Sequence, residues 1–107
     1  MSHEAIDFIF QNAPEYAKAK AERVYLEEFR KTKKALLMKA AMSKYEAVGA
    51  QEREAYAHPE YQELLKGLQA AIEIEEELKW KLEAARLRVD VWRSEEASAR
   101  MQMRATE

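Results

Sequence analysis

The chain reads YQELLKGLQAAIEIEEELKWKLEAARLRVDVW from Tyr61 to Trp92, and this stretch decides the fold. Every seventh residue from Tyr61 falls on one phase, and the residues three places later fall on a second. Most residues on both phases are apolar, which is typical of a helix with one apolar seam. This heptad seam comprises Tyr61, Leu64, Leu68, Ala71, Glu75, Leu78, Leu82, Ala85, Val89, Trp92, Glu96, Ala99 and Met103.

The helix that carries the heptad seam is predicted to cover residues 59–103. Pro59 suits the first position of a helix, and Glu60 suits the first turn, where a negative charge is favoured. A long helix cannot keep one apolar side in water unaided. We therefore expect the seam to pack against another helix of the chain and, near its C-terminal end, against another subunit.

The remaining sequence predicts two further helices and a connection. Asn12 to Glu15 has the pattern of a helix start, with Asn12 as the cap and Pro14 in the first turn. We therefore predict a short helix at 1–11, a helix at 13–47 and a turn or short helix at 50–57. Gly49 is predicted to end the second helix in a left-handed conformation.

The second helix also has an apolar stripe with spacings of three and four residues, which is predicted to face the long helix. Its members are Ala21, Tyr25, Phe29, Thr32, Leu36, Ala40 and Ser43, with Val24, Leu26, Leu37 and Ala41 on the flanks. The predicted fold is all-α and occupies residues 1–107 as one domain. It is a long antiparallel helical hairpin resembling a coiled coil, with a short N-terminal helix, and it is oligomeric.

The composition agrees with a helical protein and limits the chemistry. Charged residues make up 36% and hydrophobic residues 48% of the 107 residues, with two Gly and two Pro. These values are typical of long helices and coiled coils. There is no Cys, which excludes disulfides and thiolate metal sites. No secretory signal or long apolar run is evident, so we expect a cytoplasmic protein without a membrane segment.

Charge is unevenly distributed along the chain. The segment from Lys18 to Lys44 contains nine basic residues and three acidic ones. The segment from Glu60 to Leu78 contains six Glu and one Lys. The two segments are natural neighbours, either within a chain or between subunits. Alternatively, the basic segment binds a polyanion. The candidate residues for that contact are Arg30, Lys31, Lys33 and Lys34.

Glu75 and Glu96 lie on the heptad seam, where a carboxylate is unfavourable unless it is paired. Two interpretations stay open. The seam opens locally and the carboxylate reaches water, or the carboxylate pairs with a basic residue of the second helix and fixes the helix register. Basic residues of the second helix, such as Lys33 or Lys34, are the candidate partners.

Residues that could carry catalysis are sparse. His3 and Glu4 begin a pattern similar to a zinc-protease helix, but the second histidine is missing. Glu54 and His58 are four residues apart, and the Glu-x-x-His pair of a diiron bundle does not occur. We predict no catalytic residue, no cofactor and no metal, and hence no enzyme. The candidate interface residues are Leu78, Trp80, Leu82, Val89, Trp92 and Met103, which predict a homodimer or homotetramer.

The segments at 50–61 and 91–95, AQEREAYAHPEY and VWRSE, resemble a family of small uncharacterised helical phage and prophage proteins encoded near recombination functions. The resemblance implies a bacterial cytoplasmic setting and a link to phage DNA metabolism, and it supplies no site residue. The expected function is therefore that of a non-enzymatic accessory factor in DNA recombination or replication, acting through DNA or protein contacts. The alternative is a protein adaptor or inhibitor without nucleic-acid contact.

Overall fold

The computed structural model describes residues 2–106, which form three α-helices. They are α1 (Ser2–Ala41), α2 (Val48–Ala57) and α3 (Pro59–Thr106). No β-strand occurs between Ser2 and Thr106, so the predicted all-α class is confirmed for this range. In the same range, none of the helices combines the length and the apolar character that crossing a membrane requires.

The predicted helix break at residues 11–13 is wrong, because α1 is one helix with Pro14 inside it. Asn12 does not cap a new helix. Its side-chain Nδ2 instead donates a hydrogen bond back to the carbonyl of Phe8, at 2.9 Å. Pro14 lacks the N–H that would reach the Phe10 carbonyl, a loss that usually bends or ends a helix.

Packing explains why α1 continues through Pro14. Ala5 is buried and Ile9, Asn12 and Tyr16 are half-buried, so the same side of the helix is covered before and after the proline. Pro14 itself is exposed. Tertiary contacts of this kind contribute more to helix stability in proteins than local propensity does.

The second helix also ends earlier than predicted, at Ala41 rather than residue 47. The cause is not Gly49, which lies in the first turn of α2 and does not have a positive φ. The chain leaves α1 through 3.0 Å hydrogen bonds from the amides of Lys44 and Tyr45 to the Ala41 carbonyl. The buried side chain of Gln51 then donates to the Tyr45 carbonyl at 2.8 Å, which holds α2 against this turn.

The described chain divides into two compact units, and the predicted single domain stays a prediction. Unit 2 is Lys18–Glu75, and its core consists of Leu37 of α1, Ala55 of α2 and Tyr61 of α3. Met38 and Leu65 pack against this core. Unit 1 comprises the two chain ends, Met1–Ala17 and Glu76–Glu107. Its buried residues are Ala5 and Ala85.

The heptad seam of α3 is confirmed as the buried side of that helix. All buried residues of α3 in the described range lie on it, namely Tyr61, Leu68, Ala71, Glu75 and Ala85. The other seam positions up to Val89 are half-buried. From Trp92 onward the seam is exposed.

The predicted apolar stripe of α1 is not the buried side of that helix. Tyr25 and Leu36 are 59% and 54% exposed, whereas the neighbouring Leu37 is buried. The covered side of α1 carries charged residues among the apolar ones. Because of these charges, the spacing of apolar residues in the sequence does not reveal this side as the buried one. Its members in unit 2 include Ala19, Arg23, Leu26, Arg30, Lys33, Leu37 and Ala41.

Candidate functional site

The C-terminal end of α3 is a helix that no other described part of the chain covers. All residues from Val91 to Thr106 are exposed on every side of the helix. The heptad seam nevertheless continues here, with Trp92 39% and Met103 67% exposed. Val91 and Met101 are exposed beside it. This arrangement offers an apolar strip of the width that another helix covers.

The six predicted interface residues fall into three groups. Leu78, Leu82 and Val89 are half-buried within unit 1, so they already have neighbours in the chain. Trp80 lies off the seam and is 63% exposed, with the Nζ of Lys79 at 5.7 Å from its ring centroid. Of the six predicted interface residues, only Trp92 and Met103 lie on the exposed end of the seam.

The predicted polyanion-binding residues are mostly engaged with carboxylates. The Nζ of Lys33 lies 3.5 Å from Oε1 of Glu60, and the Nζ of Lys34 lies 3.7 Å from Oε1 of Glu52. These ion pairs offset much of the positive charge that the sequence placed on α1. They join different helices, which gives the two lysines a role in the fold.

Lys31 and Arg30 complete the predicted set. Lys31 is exposed and lies 3.4 Å from Oε2 of Glu28, one turn away on the same helix. Arg30 is half-buried and makes no ion pair within residues 2–106. Of the four cations, Arg30 is therefore the one that no carboxylate of the described chain neutralises.

A cleft of about 430 Å³ brings these cations together with aromatic rings. The Nζ of Lys34 lies 4.6 Å from the ring centroid of Tyr56, and the Tyr56 ring meets Tyr61 edge-on at 5.3 Å. Interaction with Tyr56 and, to a smaller extent, with Glu52 raises the pKa of Lys34 above its ordinary value. The cleft is lined by Arg30, Lys31, Lys34, Tyr56 and Tyr61.

A salt bridge between α1 and α3 in unit 2 resolves the question of the seam carboxylate at Glu75. Arg23 donates from Nε to Oε2 of Glu75 at 2.7 Å and from Nη2 to Oε1 at 2.9 Å. Its Nη1 donates to Glu27 at 3.1 Å. The hydrogen bonds to Glu75 and then to Glu27 raise the pKa of Arg23 above its ordinary range. Arg23, a basic residue of the helix predicted at 13–47, thus pairs with Glu75, as the second interpretation expects. Lys33 and Lys34, the two examples named for this role, contact Glu60 and Glu52 instead.

A second cleft, of about 400 Å³, lies in unit 1 and was not predicted from the sequence. Small residues on both helices leave this space, since Ala5, Ala84 and Ala85 fill little volume. The signal in the sequence was the low volume at Ala85 of the heptad seam and at Ala84 beside it. The cleft is lined by Glu4, Ala5, Phe8, Lys81, Ala84, Ala85 and Arg88.

The two histidines lie at the starts of helices, and neither belongs to one of the two clefts. His58 precedes α3, and its Nδ1 accepts a hydrogen bond from the backbone N–H of Glu60 at 3.1 Å, which caps the helix. His3 is exposed. Among the residues that the structure describes, no three His, Asp or Glu side chains are grouped closely enough to hold a metal ion.

Comparison with protein-family models, curated proteins and solved structures found no match for this chain.

Proposed function

We propose that the chain is a non-enzymatic, cytoplasmic helical protein that associates with copies of itself as a dimer or tetramer. In this proposal, α1 and α3 form an antiparallel hairpin, and the C-terminal end of α3 is the surface of association. The assembled protein then acts as an adaptor that binds protein partners.

Two ion pairs of unit 2 support the antiparallel hairpin. Arg23 of α1 contacts Glu75 of α3, and Lys33, ten residues further along α1, contacts Glu60, which lies earlier in α3. As the residue number increases along α1, the residue number of its partner in α3 therefore decreases. Two helices that run in opposite directions produce this order.

The uncovered heptad seam at residues 92–103 is the observation that carries self-association. A single helical segment of about 16 residues is marginally stable in water, and apolar residues on one side lower its solubility. Covering that side with another helix removes both problems. Burial of one side chain such as Met103 contributes about 1.5–3 kcal/mol relative to exposure.

Sedimentation equilibrium at several protein concentrations tests the proposal. We expect the wild-type chain to sediment as a dimer or tetramer, and Trp92→Asp combined with Met103→Asp to sediment as a monomer. Leu36→Asp is the matched control, because Leu36 is exposed on α1 outside this surface. A monomeric wild-type chain at high concentration would contradict self-association.

A second candidate function is supported by the cleft around Arg30 and Tyr56. Proteins bind single-stranded nucleic acid with cations and exposed aromatic rings, and here the exposed ring is that of Tyr56, since Tyr61 is buried. Together with the resemblance to phage proteins encoded near recombination functions, they favour an accessory factor in DNA recombination or replication. The ion pairs of Lys33 and Lys34 and the net charge of −2 place this candidate second.

Binding of labelled single-stranded and double-stranded DNA at two salt concentrations tests the second candidate. If DNA is bound, affinity should fall steeply as salt rises, because binding releases counterions from the phosphates and this release is less favourable at high salt. Arg30→Ala with Lys31→Ala should then weaken binding more than Lys66→Ala with Lys79→Ala, which removes the same charge from α3. Absence of binding at low salt excludes direct DNA contact.

A further inference from the structure

We infer that the end of α3 is covered by the same segment of a second copy running in the opposite direction, with Trp92 of each chain against Met103 of the other. This inference rests on the proposed self-association and adds its direction and register. The seam positions, the exposed charges of this segment and the size of its side chains carry the argument.

The heptad spacing fixes which residues meet. In an antiparallel pair of helices, a residue on one phase of the seam faces a residue on the other phase. When Trp92 faces Met103 of the second copy, Glu96 faces Ala99. The two-fold symmetry of the pair repeats both contacts, so the seam from Trp92 to Met103 is covered along its whole length.

Glu96 decides between the two directions. In a parallel pair, Glu96 would face Glu96 of the second copy, and two carboxylates would share one seam position. In the antiparallel pair, Glu96 faces the small Ala99 and lies beside Arg100 of the second copy. Glu96 and Arg100 have no ion-pair partner in the part of the chain that is described, so both are available for this contact.

The same charges select the register. Sliding the second helix by one heptad toward the N-terminus of α3 would set Trp92 against Glu96 and bring the two copies of Glu95 together. In the proposed register, Arg93 approaches Arg100 of the second copy, but Arg93 already has Asp90 at 3.7 Å. Of these two antiparallel registers, only the proposed one sets Trp92 against Met103.

The aromatic ring and the thioether also suit each other in size and chemistry. Trp92 presents a wide apolar surface, and an unbranched methionine side chain such as Met103 adapts to an aromatic ring and makes favourable sulfur contacts with it. Glu96 and Ala99 form two smaller layers between the two Trp92–Met103 layers. The association surface therefore combines large and small layers, which helps a helix pair to pack closely.

Disulfide cross-linking of the full-length chain tests direction and register, because the chain has no Cys and an introduced thiol is the only one. A mixture of Glu96→Cys and Ala99→Cys chains is oxidised and compared with each variant alone. We expect the mixture to form a covalent dimer at least about tenfold faster than either variant alone, since bridged Cα atoms must lie within about 7 Å. Ala97→Cys, outside the seam, is the control for random collision, and circular dichroism verifies that each variant is helical.

The outcomes separate this inference from the proposed function. Rapid cross-linking of Ala99→Cys alone indicates a parallel pair, which overturns the inference and leaves self-association intact. If the chain sediments as a dimer but all samples cross-link equally slowly, the inferred register is wrong and self-association is unaffected. A monomeric chain overturns both.

Discussion

Arg23 and Glu75 meet through two parallel hydrogen bonds, Nε to Oε2 at 2.7 Å and Nη2 to Oε1 at 2.9 Å. Both lie on the covered sides of their helices, and their side chains are 24% and 8% exposed. A two-pronged contact of this kind has one geometry that satisfies both bonds. It therefore favours one position of α1 along α3 within unit 2.

Glu75→Gln is expected to destabilise the protein, because the neutral amide accepts through one atom where the carboxylate accepted through two. Urea denaturation should show a lower midpoint than for the wild type. Glu63→Gln is the control, since Glu63 is exposed and its contact with Lys66 is a surface ion pair worth little. Equal midpoints for the two variants would show that the Arg23–Glu75 contact does not hold unit 2 together.

Leu37→Ala and Leu36→Ala test which side of α1 is buried. Leu37 belongs to the core with Ala55 and Tyr61, so its truncation should lower the free energy of unfolding by about 2–5 kcal/mol. Leu36 is exposed, and its truncation should change that energy by about 0.5 kcal/mol or less. Chemical denaturation of both variants measures the difference, and a reversed order would restore the stripe predicted from the sequence.

The sequence predicted α3 well because its seam is mostly apolar and repeats without interruption. It misplaced the buried side of α1 because Arg23 and Lys33 lie on that side, and apolar spacing alone skips such positions. The difference in charge between the two segments did predict that the basic residues of α1 lie near acidic residues. The individual pairs could not be predicted, because they depend on where the turn at residues 42–47 sets the register.

The candidate site was predicted in part for the same reason. Trp92 and Met103 follow from the heptad, and their exposure follows from how much of α3 is covered, which requires the structure. The break predicted at Asn12 and Pro14 failed because local signals were outweighed by packing of Ile9 and Tyr16 on the same side of α1.

Lys34 is expected to keep its charge to a higher pH than an ordinary lysine, because interaction with Tyr56 and then with Glu52 raises its pKa. Since the folded-state pKa lies above the unfolded value, the stabilising contribution is complete below the unfolded pKa. It is lost as the pH rises through the folded value. NMR titration of the Lys34 side chain measures this directly, and Tyr56→Phe should move the pKa back toward the ordinary value. An unchanged pKa in Tyr56→Phe would assign the shift to Glu52 instead.

Gly67→Ala should stabilise the protein by about 1 kcal/mol, the difference in helix propensity between the two residues. A Cβ at Gly67 would meet no atom within 4 Å, and the residue lies inside α3. Thermal and urea denaturation at low protein concentration measure the gain. A loss of stability that grows with protein concentration would mean that another copy packs closely against Gly67.

Glu96→Leu should strengthen self-association, because it replaces the one charged residue on the uncovered seam with an apolar one. Each copy then buries a further leucine, worth about 1.5–3 kcal/mol, so the dimer Kd should fall at least about tenfold. The same substitution removes the charge that disfavours a parallel pair, so cross-linking through Ala99→Cys alone should become faster in this background. Sedimentation equilibrium measures the first effect, with Ser94→Leu as the control on the side of α3 away from the seam. An equal gain in both variants would indicate association driven by general apolar character rather than by the seam.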